Sequence, residues 1–266
     1  MLRNYTPGMP QITLNLQSDL DKLAGRLAEL STGGKLNRAI AQAVNNVMFD
    51  SRRELREAME SQFNRPTPYT LRANLVKPVQ ATALGITEGE VYIAGAESPG
   101  IRHENFLSPE IYGGGRKVKR YERALQAKGL LPRGYYTVPS KYMKLDVYGN
   151  VGASFIVKML SALGALSPRT NRTERSARKL GKRRQDFSVI MPNDPNFPGR
   201  QPGIYRRKGD RGYEIVFIYV SDVNYKPRFK FYETIEAQFD ARFARQLDRA
   251  ITFELNNRRA PDASRS

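Results

Sequence analysis

Cysteine is missing from all 266 residues, which rules out a disulfide framework and any thiolate metal site. Histidine is nearly missing too. His103 stands alone, so Cys-His nucleophile pairs and three-histidine metal centres are excluded. A Ser-His-Asp triad would have to recruit it, yet no Gly-x-Ser-x-Gly turn presents a serine. Within Arg102-His103-Glu104-Asn105-Phe106 it reads as a polar loop residue. Long apolar runs are absent as well. Residues 151–166 come closest to a membrane span and are broken by Lys158. The first residues, Met1-Leu2-Arg3-Asn4, lack the apolar core of a secretory signal, and a cytoplasmic place of synthesis is expected.

The remaining chemical candidates are thin. Asp186, Asp194 and Glu214 could be imagined as a metal-binding carboxylate set of a nuclease, but no spacing supports one. Gly113-Gly114-Gly115-Arg116-Lys117 lacks the Gly-x-x-x-x-Gly-Lys-Ser/Thr spacing of a phosphate loop and reads as a hinge before a basic helix. Site residues of an enzyme and a cofactor are therefore not expected.

What the chain has in quantity is positive charge. Its net charge is +18, with 44 Lys/Arg against 26 Asp/Glu. Residues 116–133 carry +6 and residues 169–184 carry +7, so two short segments hold most of the excess. Such runs suit phosphate backbones or acidic protein surfaces, and a solvated loop is the plainer alternative. The candidate contacts are Arg116, Lys117, Lys119, Arg120 and Arg123 in the first run, with Arg175, Arg178, Lys179, Lys182, Arg183 and Arg184 in the second. Tyr112, Tyr121, Tyr135, Tyr136 and Tyr142 interleave with the first run, which makes stacking on single strands conceivable.

Periodicity divides the rest. Residues 213–220, Tyr-Glu-Ile-Val-Phe-Ile-Tyr-Val, form a continuous β-branched and aromatic run, the pattern of a deeply buried strand. Residues 203–208 and the Gly209-Asp210-Arg211-Gly212 turn make a hairpin with it. Ile12, Leu14 and Leu16 alternate as a half-buried strand, and Leu20, Leu23, Leu27 and Leu30 follow at helical spacing. A long helix is predicted over 35–63, on the order of 45 Å at 1.5 Å per residue, stopped by Pro66 and Pro68. Residues 72–84 and 89–95 read as a second hairpin.

The last helix, to about residue 256, places Phe231, Ile235, Phe239, Phe243, Leu247, Ile251 and Leu255 at a strict spacing of four. Each step of four turns that stripe by roughly 40°, so one flat sheet cannot cover it from end to end. Either the insertion covers part of it or another subunit does, which makes Phe239, Phe243, Leu247, Ile251 and Leu255 candidate subunit contacts. The expected fold class is α+β. One antiparallel sheet of five or six strands packs against two long helices, and a helical, basic insertion lies between two hairpins. The expected boundaries are 1–97 with 186–256 for a discontinuous core, 98–185 for the insertion and 257–266 for a flexible tail.

Several strings resemble the bacteriophage minor tail proteins of the lambda Z type. They are Phe63-Asn64-Arg65-Pro66-Thr67-Pro68-Tyr69-Thr70, then Phe106-Leu107-Ser108-Pro109-Glu110-Ile111-Tyr112-Gly113-Gly114-Gly115-Arg116 with Lys119-Arg120-Tyr121-Glu122-Arg123-Ala124-Leu125. The third is Leu130-Leu131-Pro132-Arg133-Gly134-Tyr135-Tyr136-Thr137-Val138-Pro139, with Lys144-Leu145-Asp146-Val147-Tyr148-Gly149-Asn150 after it. The resemblance runs from about residue 36 to 157 and more loosely to the last helix. It implies a non-enzymatic virion protein, a minor tail or tail-completion (head–tail connector) component of the phage neck or tail. It implies assembly in the host cytoplasm as a homo-oligomeric ring that meets connector, portal or tail-tube proteins and packaged DNA, with no membrane and no small-molecule substrate. The basic run 169–184 does not match that pattern. A nucleic-acid-binding module using residues 116–133 and 169–184 stays open as the alternative, and a nuclease or other hydrolase as a third reading.

Overall fold

The computed structural model describes residues 11–14, 34–82, 84–94, 102–166 and 186–256. The helices are α1 (Lys35–Gln62), α2 (Pro68–Leu71), α3 (Glu104–Tyr112), α4 (Arg120–Ala127), α5 (Ala153–Ala162) and α6 (Phe231–Asn256). The strands are β1 (Gln11–Leu14), β2 (Asn74–Lys77), β3 (Ala81–Thr82), β4 (Gly85–Ile86), β5 (Gly89–Ile93), β6 (Gly114–Gly115), β7 (Tyr136–Pro139), β8 (Phe187–Ile190), β9 (Gly203–Arg207), β10 (Tyr213–Val220) and β11 (Asn224–Tyr225). The fold is α+β with antiparallel sheets. In place of the expected single sheet of five or six strands, the described residues form a three-stranded sheet ordered β1-β5-β2, a four-stranded sheet ordered β7-β10-β9-β8 and the two-stranded pairs β6-β11 and β3-β4.

The chain divides into two compact units, residues 1–113 with 226–266 and residues 114–225. This moves the expected boundaries at both ends. Helix α3, assigned by sequence to the insertion, belongs to the first unit through Leu107, and strands β8 to β10, assigned to the core, belong to the second. The reason is strand pairing. The apolar run β10 takes β7 and β9 as neighbours and leaves β2 and β5 to pair with each other. A strand's composition states that it will be buried, not beside which partner.

In the first unit α1 and α6 run antiparallel along each other. Arg38 pairs with Glu254 at 3.0 Å, Asn46 Nδ2 donates to Gln246 Oε1 at 3.2 Å, and Arg242 pairs with Asp50 at 3.0 Å. Every pair sums to the same residue total, which is the register of two helices in lockstep. Helix α1 has 28 residues and is about 42 Å long. It buries Ile40, Val44, Val47, Met48, Leu55 and Met59 in one cluster with Phe231, Ile235, Phe239, Leu247 and Ala250 of α6 and Val91 and Ile93 of β5. Asn45, next to this face, donates to the Val79 carbonyl and accepts the Val79 N–H, both at 2.8 Å, tying α1 to the loop after β2. Thr67 stops the chain after α1 by capping α2, its Oγ1 accepting the Thr70 N–H at 3.1 Å.

The chain leaves the first unit after Gly113 and returns at Lys226. Within the second unit the two crossing strands lie side by side, Gly114 opposite Tyr225 and Gly115 opposite Asn224. On the return, the Arg228 and Phe229 N–H groups both donate to the Glu110 carbonyl at 2.8 Å, and the Arg228 guanidinium binds the Glu110 carboxylate.

The second unit is built on β10. Its register with β9 shifts between Ile215 and Phe217, a bulge that turns both Val216 and Phe217 into the core beside Tyr219. Gly203 faces this strand so closely that an added Cβ would lie 2.1 Å from the Phe217 carbonyl oxygen. Leu125 of α4, Met159 and Leu160 of α5, and Phe187 of β8 complete the core.

Candidate functional site

Two surfaces of the second unit stand out, one cationic and one apolar. The cationic one rests on a buried carboxylate. Glu122, three residues into α4, has a fully buried side chain. Its Oε1 accepts from Arg116 Nη2 at 2.6 Å and from the Thr137 N–H and Oγ1 at 2.8 Å. Its Oε2 accepts from Arg116 Nη1 at 2.8 Å and from the Lys119 N–H at 2.7 Å, the carboxylate half of a capping box. Burial alone would raise the Glu122 carboxyl, but the Arg116 guanidinium and the Thr137 and Lys119 N–H donors outweigh it and hold it at about 2. The Arg116 guanidinium also lies 4.8 Å over the Tyr136 ring. Burial pushes the Tyr121 hydroxyl up to about 12, and that hydroxyl is 2.7 Å from Thr137 Oγ1.

Arg116 is therefore a structural residue, which corrects its place among the expected contacts. The pairing takes one cation and the only acid of residues 116–133 off the surface. Lys117, Lys119, Arg120, Arg123, Lys128 and Arg133 remain, all exposed, with no acid among them. Arg120 and Arg123 sit one turn apart on the solvent side of α4, opposite Glu122 and Leu125. Arg175, Arg178, Lys179, Lys182, Arg183 and Arg184 lie outside the described residues.

The apolar surface is the loop between β7 and α5. Ser140 anchors its base on β10, its N–H donating to the Val216 carbonyl at 3.0 Å and its Oγ to the Ile215 carbonyl at 2.5 Å. Leu145 and Val151 bridge, and Asp146 Oδ1 accepts the N–H groups of Tyr148 and Asn150 at 2.9 and 2.8 Å. Gly149, at φ +82°, completes the turn by donating to the Asp146 carbonyl at 3.0 Å. On this braced tip Val147 is 76% exposed, with Leu145 and Tyr148 exposed on the same turn, while Tyr142, its N–H donating to Ser140 Oγ at 3.1 Å, is exposed at the base of the loop. Sequence reasoning missed both this tip and the role of Glu122. The lone glutamate of a basic run, at the third position of a helix, and an Asp-x-x-Gly turn between aliphatic residues were the available signals.

Elsewhere, Phe239 and Leu247 are buried inside the first unit, and Phe243 and Ile251 pack partly buried against the same cluster. A long stripe that one sheet could not cover is met by α1: Phe239 and Leu247 are taken up within the chain, which corrects their place among the expected subunit contacts, while Phe243 and Ile251 keep part of their surface. Leu255 is 51% exposed, as is neighbouring Phe253 at 52%. His103 is a buried packing residue and not a polar loop residue. Its ring stacks 3.9 Å from Tyr69, with Nε2 at 2.9 Å from the Tyr69 carbonyl oxygen. Asp186 pairs with Lys158 at 3.5 Å, Asp194 accepts the Asn196 N–H at 2.9 Å, and Glu214 pairs with Arg206 and with Lys208 at 3.3 Å. Among the described residues no three of His, Asp and Glu gather where a metal ion could be held, and no helix is long and apolar enough to cross a membrane.

Comparisons with protein-family models, with curated proteins and with solved structures found no match to this chain.

Proposed function

We propose that this chain is a structural component of a bacteriophage neck or tail, a minor tail or tail-completion protein working by contact and not by catalysis. It acts in several copies where the head connector meets the tail, and is assembled in the host cytoplasm with connector, portal or tail-tube proteins as its neighbours. The resemblance of its sequence strings motivates the reading. The observation that carries it is the braced, exposed tip at Leu145, Val147 and Tyr148, which lies in one of those strings. A rigid turn that holds three aliphatic and aromatic side chains in water is a surface suited to cover by a partner. The other strings supply scaffold: the stop and cap after α1, helix α3 with the first crossing, and α4 with the turn into β7. The long helices shield each other, so contacts between copies fall to the tip and to the exposed end of α6 at Phe253 and Leu255.

The test is the mass of the assembled species, by sedimentation of the purified chain and of particles from an infected-cell lysate. A multi-copy species, and the chain in the particle fraction, are expected. A monomer at every concentration, with the chain absent from particles, overturns the reading.

A further inference from the structure

The α4 surface differs from the tip in what it leaves out. Between Tyr112 and Val138 no large apolar side chain is exposed. Protein interfaces are organised around buried aromatic or aliphatic anchors and are depleted in lysine. This surface has no such anchor, and half of its six cations are lysines. A phosphate backbone asks for neither anchor nor planar fork, since lysine and arginine both serve it as point charges. Single strands would need open aromatic faces for stacking. Tyr121, the sole aromatic within residues 116–133, tilts against Phe217 at 5.8 Å, and Tyr136 lies under the Arg116 guanidinium; the exposed Tyr112 and Tyr142 fall outside those residues. The Glu122 carboxylate also fixes α4 to β7, so Arg120 and Arg123 stand on a braced helix and lose less freedom on binding.

We propose that the surface formed by Lys117, Lys119, Arg120 and Arg123, extended by Lys128 and Arg133, binds the phosphodiester backbone of duplex DNA without regard to sequence. The inference needs only this surface and stands apart from the tail reading, so either can fail alone.

The test is fluorescence anisotropy of the full chain on 30-base-pair duplexes of two unrelated sequences between 50 and 300 mM salt. Both duplexes should bind alike. Arg120→Ala/Arg123→Ala should weaken binding and flatten the slope of log affinity against log salt by about 2, near 0.9 for each phosphate that is no longer neutralised. Arg52→Ala/Arg249→Ala removes the same charge from exposed positions of α1 and α6 and should leave the slope unchanged. All four side chains are exposed, and unchanged circular dichroism checks that each variant folds. Residues 169–184 contribute equally to both variants, so the difference reads the α4 surface. Equal effects of the two variants, tighter binding of a single strand of the same length, or tighter binding of a polyglutamate of like charge would each overturn the proposal.

Discussion

The two units differ in charge and in how they close. Residues 114–225 carry 23 Lys/Arg against 8 Asp/Glu, a net +15, while the remaining 154 residues carry 21 against 18, a net +3. The near-neutral unit spends its long apolar stripes on itself, α1 against α6, and pairs charges along that seam. The cationic unit closes a smaller core on β10, buries the one acid of residues 116–133 against Arg116, and turns the other cations of that run and an apolar tip outward. The contrast separates a self-covered helical seam from a cationic and apolar surface left in solvent. Length and greasiness of a helix argue for burial, and the chain itself can supply it.

Substitutions should respect that division, and hydrogen exchange read by element can break it. The largest loss is expected at Phe231, fully buried in the helical unit. Phe231→Ala should cost about 3–5 kcal/mol in denaturant unfolding and raise exchange in α1 and α6 while sparing α4 and β7. Next is Glu122→Gln, about 3 kcal/mol, near the low end for a broken buried pair because the amide still accepts hydrogen bonds while Arg116 loses its countercharge. Its exchange should rise in α4 and β7 alone. Should either substitution loosen both units together, the two form one cooperative body and the comparison fails.

The same carboxylate fixes a pH dependence. Its folded value of about 2 lies below that of an unfolded glutamate near 4.3. Its stabilisation is therefore complete above about pH 4.5 and fades as pH falls toward 2. An acid titration of stability should show that limb in the parent chain and lack it in Glu122→Gln. Gly203→Ala comes third, about 1–3 kcal/mol, because its Cβ would meet backbone at Phe217 and not a side chain that can swing away. Leu255→Ala is smallest, below about 0.5 kcal/mol in the isolated chain, since half of that side chain is already in water.

Much of the local structure was legible before any coordinates. The spacing of α1, the prolines that stop it, the run at Tyr213–Val220 and the hairpin before it all carry period and turn signals that neighbours cannot easily override. Pairing was less legible. Phe231, Ile235 and Phe239 announce a buried face but not that α1 buries it, and β10 does not name β7 as its neighbour. The site was half legible. Lys117, Lys119, Arg120 and Arg123 stand exposed as their charge suggests, while Arg116 looks the same in sequence and is removed by a carboxylate six residues on. Val147 and Tyr148 stand in a string that the resemblance singled out, but the Asp-x-x-Gly signal around them went unread, and the hydrogen bonds of Asp146 show the loop to be a fixed turn.

The central proposal is that contacts with other subunits lie chiefly on the cationic unit's tip, with the exposed end of α6 at Phe253 and Leu255, and not on the seam that α1 and α6 bury against each other. Sedimentation of Val147→Asp/Tyr148→Ser beside the parent chain tests it most directly. The variant should fold, run as a single chain and leave the particle fraction, while the parent stays assembled. A variant that assembles like its parent would contradict the claim.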